Sequence, residues 1–259
     1  VADTKYNTLS DFHDFLLRGC APSTAATYKK AVDFLLDEQY LIDWTDMDIN
    51  SVIDKLQGMK YKNQYSKYKN AFLKFCDFLD IKLSNDILLK LDIANLDKKK
   101  KYRKMEPRKL EDIKNHLRGC KDKKLKLSYE TMLATGLRVS ELSQIKKTDC
   151  IVSNNNVQFF FTGKGQKKES VTINKADNMK LYTNLVELIT GASESKKVFY
   201  STNYLQTKAS DMGFNCHDLR RAFAKITRKN NKDINVVKDA MRHTSTKNTK
   251  IYLNSKIDI

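Results

Sequence analysis

Two prolines and eight glycines are spread over 259 residues. Both residue types interrupt helices: proline lacks an amide donor and clashes with the preceding turn, and glycine gives up the most backbone freedom on folding. So few interruptions favour long helices and disfavour an architecture of many short strands and tight turns. Apolar spacing follows suit. Residues 8–18, TLSDFHDFLLR, place Leu9, Phe12, Phe15 and Leu16 on one helical face. Ser23 or Thr24 is placed to cap a second helix, whose stripe is Tyr28, Ala31, Val32, Leu35 and Leu36. Residues 48–57 and 63–79 repeat the pattern, the latter with a seam of Tyr65, Tyr68, Phe72, Phe75 and Leu79 that reads as core. Residues 1–93 therefore read as a small helical bundle.

The stretch DKKKKYRKMEPRK, residues 97–109, then carries Lys or Arg at eight of thirteen positions and a proline. That is the signature of an exposed connection, and residues 94–108 are assigned as a basic linker. Its cations, Lys98, Lys99, Lys100, Lys101, Arg103, Lys104 and Arg108, read either as a solvated spacer or as a strap along phosphates, and their density favours the strap. Residues 109–259 form the second unit. Helices are expected over 109–118, 123–146, 176–190, 202–212, 216–230, 233–241 and 246–253. VQFFFTG (157–163) and SVTI (170–173) are rich in β-branched and aromatic residues and flank the glycine-containing turn GKGQKKE, which gives a β-hairpin. VFYS (198–201) allows one further short strand. The fold class is mainly α within α+β: a helical bundle followed by a mixed, mostly helical domain with a small hairpin or sheet. No internal repeat is visible.

Forty-eight Lys and Arg face thirty-one Asp and Glu, a formal net charge of +17, which suits a polyanion, nucleic acid before an acidic membrane surface. No apolar run approaches the roughly 18 residues of a membrane span, and residues 1–17 lack the apolar core of a signal peptide. Five scattered cysteines without a C-x-x-C pair suggest reduced thiols in a cytoplasmic setting and argue against a zinc site.

Several residues invite chemistry. In ATGLRVSEL (134–142), Gly136 breaks a helix and Arg138 sits where the next begins, with Glu141 three residues on to hold a neighbouring cation. Lys164 lies between Gly163 and Gly165 on the hairpin turn, although by itself nothing sets it above Lys167 or Lys168. His217 and Arg220, in HDLRRAFA, share a helical face. His243 follows an apolar helix, and Tyr252 comes nine residues later. Taken singly, these read as a surface ion pair, a polar turn, a solvated basic face, a capping histidine and a half-buried tyrosine.

Their order is more informative. T-G-L-R-x-S-E-L, G-K-G at a hairpin, H-x-L-R, a lone histidine before Thr, and a tyrosine nine residues on resemble the tyrosine recombinases, or phage-type integrases, across residues 105–254. The first half fits that family's core-binding bundle only by pattern, through T-x-x-x-Y (Thr24, Tyr28) and K-x-K-N-x-F-x-x-F (Lys67 to Phe75). The resemblance implies a catalytic pocket of Arg138, Lys164, His217, Arg220 and His243, a nucleophile at Tyr252, and Glu141 in support. It implies a site-specific recombinase acting on double-stranded DNA through a 3′-phosphotyrosine, without metal, ATP or other cofactor, as a tetramer on two sites. Arg221 stands where many members have His or Lys and is a further candidate for contacting DNA. Non-catalytic DNA binding and relaxation of the topoisomerase IB kind are the alternatives.

Overall fold

The computed structural model describes residues 2–36, 48–96, 108–163, 166–194, 196–231, 233–255 and 257–259. They form two compact units, Val1–Lys104 and Met105–Ile259.

The first unit contains α1 (Ala2–Leu17), α2 (Pro22–Leu36), α3 (Ile49–Gln57), α4 (Lys62–Phe78) and α5 (Asn85–Leu96). Pro22, not Ser23 or Thr24, opens α2, where its missing amide costs nothing. Asp48 caps α3 by accepting from the Asn50 and Ser51 amides at 2.9 and 3.2 Å. The anticipated apolar stripes meet in one core of Leu9, Phe12, Val32, Leu35, Val52, Leu56, Phe72 and Phe75, with Phe12 edge-on to Phe75 at 5.1 Å. The aromatic seam of α4 is thus largely packing. Tyr65, fully buried, donates its hydroxyl to the Leu91 carbonyl and ties α4 to α5. That last helix, with Leu91 fully buried, continues to Leu96, past the boundary expected at residue 93.

The second unit runs β1 (Arg108–Lys109), α6 (Leu110–Gly119), α7 (Lys123–Thr135), α8 (Val139–Leu142), a 3-10 turn (Lys147–Asp149), β2 (Cys150–Val152), β3 (Asn156–Thr162), β4 (Lys168–Asn174), α9 (Met179–Thr190), α10 (Thr202–Asp211), α11 (Cys216–Asn230), α12 (Ile234–Ala240), α13 (Thr246–Leu253) and β5 (Ile257–Asp258). Strands β2, β3 and β4 form an antiparallel sheet in that order, while β1 pairs with β5 in parallel. In β3 the residues Val157, Phe159 and Phe161 alternate into the core opposite Ile173, Val171 and Glu169. The main core joins these to α7, α8, α9, α10 and α11 through Tyr129, Leu142, Leu185, Leu205 and Leu219, with Phe199 and Phe214 from the connecting segments.

Several expectations are corrected. The helical stretch expected over 123–146 breaks at Gly136 as its glycine suggests, capping α7 with φ +63°, but the second helix ends early, at Leu142. A Cβ on Gly136 would sit 2.4 Å from Cδ1 of Phe223, so only glycine fits both the backbone and the space. The helix expected from 176 starts at Met179, because Asn178 caps it by accepting from the Leu181 amide at 3.0 Å. VFYS is not a strand: only Lys197 bridges Lys146, and the Val198 amide bonds the Ile145 carbonyl at 2.9 Å. Arg108, assigned to the linker, belongs to β1. The five cysteines are all unpaired.

Candidate active site

Gly136 sets the site's geometry. The left-handed turn ends α7 and turns the Gly136 carbonyl toward two guanidiniums: Arg220 Nη1 donates to it, and Arg242 Nη2 donates at 3.2 Å. Two residues on, Arg138 opens α8. Its amide donates to Glu141 Oε2 at 2.8 Å and its Nη1 donates to Oε1 of the same carboxylate. Glu141 is only 3% exposed. Burial would raise its pKa, but the hydrogen bonds from the Arg138 amide and guanidinium, with the charges of Arg138 and Arg242, hold it below the ordinary carboxylate value. Arg138 itself keeps about a quarter of its side chain in solvent, 26%.

Helix α11 supplies His217 and Arg220. Its start is fixed by a reciprocal capping box, in which the Asp218 amide donates to Asn215 Oδ1 at 3.1 Å and the Asn215 amide donates to Asp218 Oδ2 at 3.0 Å. Arg220 is 0% exposed, the largest fully buried side chain in the described residues. Besides Gly136, its fork donates to the Met241 carbonyl and reaches His243 Nε2 at 3.3 Å, while its Nε–H has no partner. Burial, then the neighbouring Arg138 and Arg242, lower its pKa to about 10, so it stays charged at neutral pH. An unpaired donor on a buried cation is costly unless an acceptor arrives.

The α12–α13 turn brings His243, 9% exposed, beside it. An arginine nitrogen can only donate, so His243 Nε2 is the acceptor and the ring proton is on Nδ1, which lies 3.1 Å from Thr249 Oγ1. Burial, then Arg220, Arg138 and Arg242, lower its pKa to about 4. Partial desolvation, then Arg221, Arg220 and Arg138, also lower that of His217, although this ring is exposed. Both imidazoles are therefore neutral at pH 7.

Tyr252, half-buried on α13, closes the arrangement. Its ring centroid is 5.0 Å from that of His243 and 6.3 Å from that of His217, and the Arg220 guanidinium lies 5.7 Å from it. The ring also packs on the small cluster of Ala224, Val237 and Met241. Arg138, His243 and Tyr252 line one open cleft of about 870 Å³ with Lys167, Glu169 and Arg242.

Five of the six residues singled out as catalytic thus come together, with Glu141 beneath Arg138. Lys164 lies outside the described residues, as do Lys98, Lys99, Lys100, Lys101, Arg103 and Lys104. Arg221 is held by Asp218, its Nη1 donating to Oδ1 at 2.8 Å. Sequence reasoning missed Arg242 and Glu169. The only cue was adjacency: Arg242 directly precedes His243, and Glu169 ends the turn that carries Lys164. Among the described residues no group of three His, Cys, Asp or Glu side chains is placed to hold a metal ion, and no helix is long and apolar enough to cross a membrane.

The model of the phage integrase family matches residues 103–257, more than half of the chain, and the chain belongs to that family. Tyrosine recombinase XerA of Saccharolobus solfataricus is 29% identical over 167 residues, covering 61% of this chain and 56% of that relative, so the match spans little more than half the relative's length. Among solved structures, XerH site-specific recombinase bound to a palindromic difH substrate in a post-cleavage complex aligns with TM-score 0.61 at 16% identity, over 91% of this chain and 77% of that one. A lambda integrase tetramer bound to a Holliday junction aligns with TM-score 0.66 at 12% identity, over 97% and 77%. At these identities the likeness is one of fold.

Proposed function

We propose that the chain is a site-specific DNA recombinase that cuts and rejoins DNA through a 3′-phosphotyrosine at Tyr252. The observation that carries this is the convergence of four separate segments on Tyr252: His217, Arg220 and His243 surround its ring, and Arg138 and His243 line one cleft with it. The partner is double-stranded DNA, engaged as a tetramer on two sites; the net charge of +17 and the solved relatives bound to a difH substrate and a Holliday junction support this.

The chemistry follows from the groups present. The Tyr252 oxygen bonds to the scissile phosphorus as the bond from phosphorus to the 5′-oxygen breaks. The phenol proton goes to His217, whose neutral ring can accept it. The 5′-oxygen takes a proton from Lys164. Charge building on the non-bridging oxygens is met by the forks of Arg138 and Arg220, and oriented donors of this kind typically contribute about 2.7–4 kcal/mol each. His243, with Nε2 accepting from Arg220, first serves to hold that fork; it donates to phosphate only once a proton sits on Nε2. The ester formed is similar in energy to the one broken, so a partner strand's 5′-hydroxyl reverses the step without ATP, and neither metal nor another cofactor is called for. Excision or integration of a mobile element, or Xer-like resolution, are the roles this activity serves.

The test is Tyr252→Phe on nicked duplex substrates that trap the covalent adduct. The wild-type chain is expected to become attached to DNA and the variant to bind without attachment. Equal adduct from both sinks the mechanism; binding without adduct from either leaves a DNA-binding protein; relaxation of supercoils without site preference points to topoisomerase-like action.

A further inference from the structure

Thr249 is a polar side chain sealed inside the second unit. It is 0% exposed and lies on α13, three residues before Tyr252. Its Oγ1 is 3.1 Å from His243 Nδ1. The other ring nitrogen, Nε2, is 3.3 Å from Arg220 Nη2. The His243 amide donates to the Lys238 carbonyl at 2.9 Å, which fixes the backbone from which the ring extends. The imidazole is thus held at both nitrogens, between a hydroxyl of α13 and the guanidinium of α11, with the Tyr252 ring centroid 5.0 Å away.

A hydroxyl both donates and accepts, whereas a carbonyl or carboxylate only accepts and a methyl does neither. With Arg220 donating to Nε2, the ring proton is on Nδ1 and Thr249 accepts it. For His243 to donate to phosphate, a proton must sit on Nε2. Adding a second proton to the ring is disfavoured by its burial and by Arg220, Arg138 and Arg242 around it. A change of tautomer avoids that charge. The ring lines an open cleft; Nδ1 gives its proton to water there, Nε2 takes one from water, and the ring stays neutral. The Thr249 O–H then turns to donate to Nδ1, and Arg220 Nη2 turns from Nε2 to a phosphate oxygen.

We propose that Thr249 is a positioning residue that partners Nδ1 of His243 in both neutral tautomers, so that the ring holds the Arg220 fork before DNA binds and donates to the scissile phosphate afterwards. The use of the second tautomer rests on the recombinase reading. The tautomer of the free chain, and its dependence on the Thr249 hydroxyl, do not.

Two measurements on the full chain test it, with Thr249→Val, which keeps the branched shape without the hydroxyl, and Thr249→Ser, which keeps the hydroxyl. The first is nitrogen-15 NMR of the histidine rings at neutral pH, which separates a protonated nitrogen from a bare one; His243 is assigned among the four histidines by its loss in His243→Ala. Without DNA, a single Nδ1–H tautomer is expected in the wild-type chain and in Thr249→Ser. A mixture is expected in Thr249→Val, where Nδ1–H becomes a buried donor without a partner. An Nε2–H ring in the free wild-type chain, or the wild-type tautomer in Thr249→Val, overturns the proposal whatever the chain does to DNA. The wild-type reading needs no variant, so it decides even where Thr249→Val does not fold. In Tyr252→Phe bound to DNA the ring is expected to carry its proton on Nε2 alone; Nδ1–H retained, or both nitrogens protonated, overturns the exchange.

The second measurement is adduct formation on DNA to which the wild-type chain attaches. Losing one oriented donor costs about 10²–10³-fold in rate, and Thr249→Val should approach the lower end of that loss with DNA affinity unchanged. Thr249→Ser should recover most of it. In the His243→Ala background Thr249→Val should cost nothing further, because the hydroxyl acts through the ring. An undiminished rate in Thr249→Val, no recovery in Thr249→Ser, or the same loss without His243 assigns Thr249 to the packing of α13 and overturns the proposal. If the wild-type chain attaches to no DNA, the recombinase reading falls and the tautomers of the free chain alone decide the role of Thr249.

Discussion

Gly136→Ala isolates the packing that seats the catalytic arginine. Two penalties act at this position. Alanine at φ +63° pays the left-handed cost of about 1–2 kcal/mol, and its methyl arrives 2.4 and 2.7 Å from Cδ1 and Cε1 of Phe223. Overpacking of that kind typically costs about 1–3 kcal/mol. Gly213 is an internal control. Its φ is +77°, yet nothing lies within 4 Å of an added Cβ, so Gly213→Ala pays the backbone cost alone. Both variants gain the same stiffening of the unfolded chain, about 0.4–1 kcal/mol, which cancels in the comparison. Gly136→Ala should therefore be the less stable of the two by about 1–3 kcal/mol, read from urea melts of the full chain by circular dichroism. Phe223→Leu, which removes the clashing ring, should recover part of the difference. Because the Gly136 carbonyl accepts from both Arg220 and Arg242, adduct formation should fall further than stability does. Equal stability of the two alanine variants, or no recovery on shortening Phe223, would refute the reasoning.

Acid should loosen the second unit through His243. Its folded pKa of about 4 lies below the ordinary 6.5, so between those values the unfolded chain binds more protons and stability rises with pH. The contribution is complete above pH 6.5 and is lost as pH falls toward 4; His243→Gln should flatten the slope in that window, leaving the smaller part from His217, shifted the same way. An unchanged slope would mean that the ring titrates freely. Asn215→Ala removes one arm of the α11 capping box and should cost about 1 kcal/mol in the same melts. If the chain binds DNA, log affinity should fall against log salt by about 0.9 for each phosphate neutralised, and a flat salt dependence would count against a phosphate-tracking surface.

Helices whose apolar residues recur over three or more turns were legible because the core they enter is the one they create: Phe12, Val32, Phe72 and Phe75 meet as their spacing requires. The hairpin was legible for the same reason, its buried Val157, Phe159 and Phe161 alternating against paired residues of β4. Strand β2 was not, since Cys150–Val152 is three residues long with two exposed and takes its shape from pairing with β3. VFYS misled because Val198 and Phe199 are buried by the core around them without a ladder. At the site, the resemblance carried by the order of the motifs singled out arginines, histidines and a tyrosine that the fold brings near one another. Arg242 stayed hidden because two of its carbonyl partners, Thr135 and Gly136, lie 107 and 106 positions away.

The forks of Arg220 and Arg242 rest mainly against carbonyls of the peptide chain, those of Thr135, Gly136, Ala240 and Met241. Such seats persist when the side chains bearing them are exchanged, so long as the chain keeps its path. The layout of charge in the cleft is thereby inherited from the course of the backbone, and the surrounding composition is free to drift while the cations stay where they are.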